Sequence, residues 1–230
     1  MKNELLIIPD VHGRSFWRSA VYGDEYDHVI FLGDYMDPYM YYEMISEREA
    51  YNEFLAILKY KLEHPKDCTL LLGNHDLHYL WPDRECSRRN DRQGDFLHDI
   101  YEMFLDQFLL AYEVDAMGKK ILFSHAGILK GWLDDCHMRF SLNDYNELMN
   151  QGSFGRLWKI SHYRGGYDTF GSPVWADYRE HQHSEPLQGY YQIFGHTLLE
   201  RPMVTDHWAC LDCMKAFALS KETGVLRMIE

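Results

Sequence analysis

Residues 29–37 read Val29-Ile30-Phe31-Leu32-Gly33-Asp34-Tyr35-Met36-Asp37. An unbroken apolar run this short suits a strand buried on both faces, because an exposed face would alternate with polar residues. The glycine that follows lets the chain turn tightly, and two carboxylates come directly after it. The same order recurs along the chain. Leu5–Ile8 leads to Asp10-Val11-His12-Gly13, and Thr69–Leu72 leads to Gly73-Asn74-His75-Asp76. Ile121–Phe123 leads to Ser124-His125-Ala126-Gly127, and Tyr190–Phe194 leads to Gly195-His196-Thr197. Between the runs lie helical stripes. Tyr51, Phe54, Leu58 and Leu62 share one face of a helix within 43–62, and Ile100, Met103, Phe104 and Phe108 form a second stripe. Strand and helix in alternation predict an α/β fold. Short strands are expected from Met203 to Ile229, with Thr223-Gly224 turning a hairpin. Loops are expected over 82–95 and Ser161–Pro173.

The chain has 230 residues and a formal charge of −13, which fits a single domain over 1–230 with a core of its own. The acidic balance argues against nucleic-acid polymers and anionic membranes as partners, since both reward a basic face. It leaves open a phosphate-bearing substrate drawn by bound cations. No apolar run approaches the ~20 residues of a membrane span, and Leu5–Ile8 is too short for a signal peptide. Five cysteines at uneven spacing, with a single C-x-x-C at Cys210 and Cys213, point to reduced thiols in a cytoplasmic protein.

In open α/β sheets ligands bind beyond the carboxyl ends of strands. Here each such end supplies Asp, Asn or His. Carboxylates, imidazoles and an amide make a site for a hard-to-borderline divalent metal. The donors outnumber the needs of one ion, so two ions about 3.5–4 Å apart and bridged by a carboxylate fit better. Each block alone recurs by chance; five in order at strand ends do not.

The blocks D-x-H, G-D-x-x-D, G-N-H-D, a later His and G-H resemble the calcineurin-like metallophosphoesterase superfamily across residues 10 to 196. The likeness is greatest to the phosphoprotein phosphatase branch and its bacterial relatives, through Asp10-Val11-His12-Gly13-Arg14 and Ser124-His125-Ala126-Gly127-Ile128. Leu198 stands where many phosphodiesterases of the superfamily have the second His of G-H-x-H. The resemblance implies a central two-sheet β-sandwich flanked by helices, a four-layer αββα fold. It implies Asp10 and His12 on a first metal, Asp34 bridging, and Asn74, His125 and His196 on a second. His75 would protonate the leaving oxygen as general acid, and Asp37 would hydrogen-bond that imidazole and raise its pKa. Manganese is the first choice of metal, with iron, zinc, nickel and cobalt compatible with the same donors.

One departure bears on substrate. Eukaryotic-type protein phosphatases continue the second block as Asp-Arg-Gly, and that arginine clamps phosphate. Here Asp37 is followed by Pro38-Tyr39. Candidate replacements are Arg14, Arg84, Arg88, Arg89, Arg164 and Arg179. The expected activity is hydrolysis of phosphomonoesters, serine/threonine-phosphatase-like, by a metal-bridging hydroxide. The substrate would be a phosphorylated small molecule, nucleotide or phosphoprotein. Alternatives are a dinucleoside polyphosphate hydrolase, which the His125–Ile128 stretch suits, a phosphodiesterase, or a non-catalytic scaffold of the same fold.

Overall fold

The computed structural model describes residues 3–23, 26–39, 43–81, 87–90, 92–116, 118–149 and 154–229. The chain falls into two compact units, 1–109 with 214–220 and 225–230, and 110–213 with 221–224.

The first unit is built on β1 (Glu4–Ile8), β2 (His28–Phe31), β3 (Cys68–Leu71), β4 (Phe108–Leu109), β10 (Phe217–Ser220) and β11 (Leu226–Met228). Their order is β11-β10-β1-β2-β3-β4. Strands β1 to β4 run parallel, and β10 joins β1 antiparallel. Strands β10 and β11 pair antiparallel, as the tail was expected to do. The apolar runs are buried as continuous runs demand: Leu5 to Ile8 and Val29 to Phe31 are at most 4 % exposed. Register sets Ile8 beside Phe31 and Phe31 beside Leu70. Asp10, Asp34 and Asn74 therefore leave the sheet at one edge.

Helices α1 (Phe16–Gly23) and α2 (Glu47–Glu63) pack on this sheet. Ser46 starts α2 with a capping box: its hydroxyl accepts the Glu49 N–H, and the Glu49 carboxylate accepts the Ser46 N–H. The face α2 buries is Ala50, Phe54, Ile57 and Leu58, while Leu62 is exposed. Helices α3 (Asn74–Leu80) and α4 (Gly94–Met103) follow β3 and pack on each other. The helical stripe expected through Phe108 ends early. A 3₁₀ turn at Leu105–Gln107 closes α4, and Phe108 pairs with Leu70 as a strand. The buried face of α4 is Leu97, Ile100 and Tyr101, and Met103 points to solvent. Ladder pairing beside β3 prevails over the local helical period, which cannot register a neighbour distant in sequence.

The second unit holds β5 (Ala111–Ala116), β6 (Lys119–Ser124), β7 (Tyr190–Phe194), β8 (Met203–Val204) and β9 (Trp208–Cys210), in the order β5-β6-β7-β9-β8. Strands β6, β7 and β9 are parallel, with Phe123 beside Ile193 and Phe194 beside Cys210. Ser124-His125, Gly195-His196 and Leu211-Asp212 leave this sheet at its common carboxyl edge. Among the described residues four short helices complete the unit: α5 (Lys130–Asp135), α6 (Leu142–Asn146), α7 (Phe154–Leu157) and α8 (Tyr178–His183). The edge strand β5 escaped the sequence reading because Ala111–Ala116 has no continuous apolar run. Two mixed sheets with their helices are the α/β content expected. Cys68, Cys136, Cys210 and Cys213 are buried free thiols. Among the described residues no helix is long and apolar enough to cross a membrane.

Candidate functional site

In the first unit the loops after β1, β2 and β3 meet. Gly33 adopts φ +107°, and a Cβ there would lie 2.5 Å from the Gly73 nitrogen, so only glycine lets these two loops approach. His12, Asp34 and Asp37 all take positive φ, at +46°, +52° and +61°. Left-handed backbone is costly for such residues and persists where surroundings overdetermine it. The surroundings here are specific. The Asp34 carbonyl accepts the Val11 and His12 N–H groups at 3.1 and 2.7 Å. The fully buried Asp76 carboxylate accepts N–H groups from Gly73, Asp34 and Tyr35 at 2.7, 2.7 and 3.1 Å. It also accepts the Tyr101 hydroxyl at 2.6 Å. Burial raises the Asp76 carboxyl above its usual range, and the four donors, which tie the loops together, act against that shift.

Onto this frame the unit places His12, Asp34 and His75 with one donor atom of each within 4.8 Å of the others, all buried. His12 Nε2 lies 3.4 Å from Asp34 Oδ2, and Asp34 Oδ1 accepts the His75 N–H at 2.9 Å. His12 Nδ1 meets the Met36 carbonyl at 2.8 Å, which orients the ring and directs Nε2 to the carboxylate. Asp10, beyond β1, and Asn74, which opens α3, are both buried in the same unit. Burial, then the charge of Asp76, holds the Asp34 carboxyl well above the usual range. Burial, then His75 and the cations Arg88 and Arg14, holds His12 well below its ordinary value. A neutral imidazole beside a carboxylate that resists ionisation alone is the donor chemistry a divalent cation satisfies, because its charge reverses both penalties.

His75 belongs to a second cluster. Its Nδ1 hydrogen-bonds Asp37 Oδ2 at 2.7 Å. Asp37 also lies 2.8 Å from His78 Nε2 and accepts the Tyr79 hydroxyl. Burial opposes ionisation of Asp37, but the hydrogen bond from His75 and the close His78 imidazole outweigh it and set the carboxyl below the usual range. The sequence reading expects Asp37 to raise His75; burial is the larger influence, and His75 is lowered to about 4. Sequence reasoning took His78 only as a residue that could line the cleft, although His75 and His78 stand at i, i+3 on α3 and so share a face. Tyr79 carried no comparable signal.

The predicted arginines have different surroundings. Arg14 is buried and forks onto Glu43 at 2.8 and 2.7 Å. Arg88 reaches Asp37 and His75. Arg84 lies outside the described residues.

In the second unit His125 Nε2 lies 3.1 Å from His196 Nδ1. His196 takes φ +67°, and the Gly195 N–H donates to the His125 carbonyl at 2.8 Å. Arg164 Nε donates to His196 Nε2 at 2.8 Å, and its Nη2 to the His196 carbonyl at 2.7 Å. Arg164 is also 3.7 Å from Asp177, which caps α8 and binds Arg179. His181 is buried, meets the Ala126 carbonyl at 3.0 Å and is lowered to about 4 by burial.

The family model of the calcineurin-like phosphoesterases matches residues 4–200. Among solved structures, the chain is similar to a protein serine/threonine phosphatase from Saccharomyces cerevisiae described as similar to human phosphatase PP5. The TM-score is 0.57 at 12% identity, over 99% of this chain and 79% of that one. A hypothetical protein from Pyrococcus horikoshii OT3 gives TM-score 0.44 at 10% identity, over 99% and 87%. An archaeal phosphodiesterase gives 0.36 at 12% identity, over 98% of each chain. At 12% identity the likeness to the yeast phosphatase speaks to the fold alone. No curated protein matches the chain.

Proposed function

The chain belongs to the calcineurin-like phosphoesterase family, and from that premise we propose that it hydrolyses phosphate monoesters with two divalent transition-metal ions bound. Asp10, His12, Asp34, Asn74, His125 and His196 would hold them, manganese being our choice. Bound, such ions supply a hydroxide at neutral pH and offset the charge of a phosphoryl group in transfer.

The observation that carries this reading is the His75–Asp37 pair. Asp37 engages Nδ1 at 2.7 Å and so leaves Nε2 as the nitrogen that exchanges protons with substrate. His78 and Tyr79 fix the carboxylate in turn, so the imidazole keeps its direction without reorganising. His12 and His75 stand edge to face with centroids 5.1 Å apart, which puts the proposed acid beside a proposed ligand. A leaving alkoxide needs such a proton; a good leaving group does not. Buried free thiols support a reducing, cytoplasmic setting.

The test is a substrate panel on manganese-loaded protein: p-nitrophenyl phosphate, its bis ester, a phosphopeptide and a dinucleoside polyphosphate. Monoester turnover at least tenfold above the bis ester is the expected result. Preference for the bis ester or the dinucleoside polyphosphate would replace this reading, the latter by the alternative that the His125–Ile128 stretch favours.

A further inference from the structure

One cation stands next to His75 with no carboxylate paired to it among the described residues. Arg88 is exposed, on the stretch after α3, and its own φ is +67°. Three contacts fix its guanidinium. Nε donates to the Asp37 carbonyl at 3.1 Å. The plane lies over the Tyr39 ring, 3.7 Å from the centroid. Nη2 stands 3.4 Å from His75 Nε2, the nitrogen proposed to exchange protons.

Five other arginines are answered by carboxylates. Arg14 is paired with Glu43, Arg18 with Glu53, Arg164 and Arg179 with Asp177, and Arg227 with Glu4. Among the described residues no carboxylate pairs with Arg88. A guanidinium has five N–H groups in a rigid fork. One is used on Asp37 and one faces His75, and among the described residues no acceptor engages the other three. An oriented, exposed fork with no carboxylate paired to it among the described residues is a receptor for a planar pair of anionic oxygens.

We propose that Arg88 is the phosphate clamp of this enzyme and that Tyr39 is the positioning residue that holds it. The proposal rests on the phosphoester-hydrolase reading and adds the residue that grips the phosphoryl oxygens. It also joins the two departures after Asp37. Pro38 brings no donor, and Tyr39 brings a ring face, on which a cation from elsewhere in the chain settles.

The experiment is isothermal titration of the metal-loaded full chain with inorganic phosphate, with metal content measured for every variant. Arg88→Ala should weaken phosphate binding about tenfold to a hundredfold, the range for losing charge-assisted hydrogen bonds. Arg88→Lys should recover part of the loss, since charge returns without the fork. Tyr39→Leu should weaken binding several-fold and Tyr39→Phe should not. Arg18→Ala, remote and paired with Glu53, should match the wild type. KM for p-nitrophenyl phosphate should rise with the phosphate constant. Arg88→Gln, which keeps the stem, replaces Arg88→Ala if the latter lowers Tm. Phosphate affinity within twofold of wild type after either change overturns the proposal, as does a wild type that binds no phosphate. A wild type that binds phosphate through Arg88 yet hydrolyses no ester refutes the hydrolase reading and leaves the clamp standing.

Discussion

Asp76→Asn keeps the volume of a fully buried side chain and removes its charge. The native carboxylate accepts from three backbone N–H groups and the Tyr101 hydroxyl, at 2.6 to 3.1 Å. The amide oxygen of Asn accepts two of the four donors, and its NH₂ turns a donor towards the others. Two buried donors left without an acceptor cost ~1–3 kcal/mol each, so the loss should be about 4 kcal/mol. That is a large part of the ~5–15 kcal/mol of an ordinary domain. Tyr101→Phe removes one hydroxyl from a charged acceptor that keeps three donors, and should cost ~1.5–3 kcal/mol. Because Asn has already lost part of what Tyr101 contributes, the double variant should cost less than the sum by about 1 kcal/mol. Urea unfolding followed by circular dichroism near neutral pH measures all three. Asp76 also fixes the Asp34 N–H, so Asp76→Asn should weaken metal binding as well. A loss below ~1 kcal/mol for Asp76→Asn would refute the idea that this carboxylate ties the loops together.

Other expectations follow from the same geometry. His75→Gln should lower kcat ~10²–10⁴-fold on an alkyl phosphate, and much less on p-nitrophenyl phosphate, with metal content unchanged; equal losses on both esters would exclude an acid role. Gly33→Ala should cost several kcal/mol or prevent folding, since its Cβ meets the Gly73 backbone at positive φ; a Tm within a few degrees of wild type would contradict the close approach. His181 is lowered from 6.5 to about 4 by burial, so the unfolded chain binds its proton first as pH falls. Its contribution is present above 6.5 and is lost as pH falls through 4, by up to about 3 kcal/mol. His181→Gln should therefore flatten the acid limb of stability against pH, and an unchanged limb would show that this residue is not its source. Asp34→Asn should reduce bound metal on dialysis, read by elemental analysis.

Much of the fold was legible because its signals are local. An apolar run followed by Gly and a polar residue reports a buried strand and its end without reference to any neighbour. The hairpin of the tail was readable for the same reason. The end of α4 was not, because Phe108 is drawn into a strand by Leu70, 38 residues earlier. The site divides likewise. The sequence by itself determined which residues could be ligands, since Asp10, His12, Asp34, Asn74, His125 and His196 each follow a strand. It also offered six arginines without ranking them. Only the tertiary structure decided that Arg14 is spent on Glu43 while Arg88 faces His75. Only the fold showed that burial outweighs Asp37 in setting His75, and that Asp76 gathers donors from 25 to 42 residues away. The physical reason is common to these cases. Periodicity is a property of adjacent residues, whereas desolvation, hydrogen-bond partners and the cancellation of charge depend on what the packed chain brings alongside.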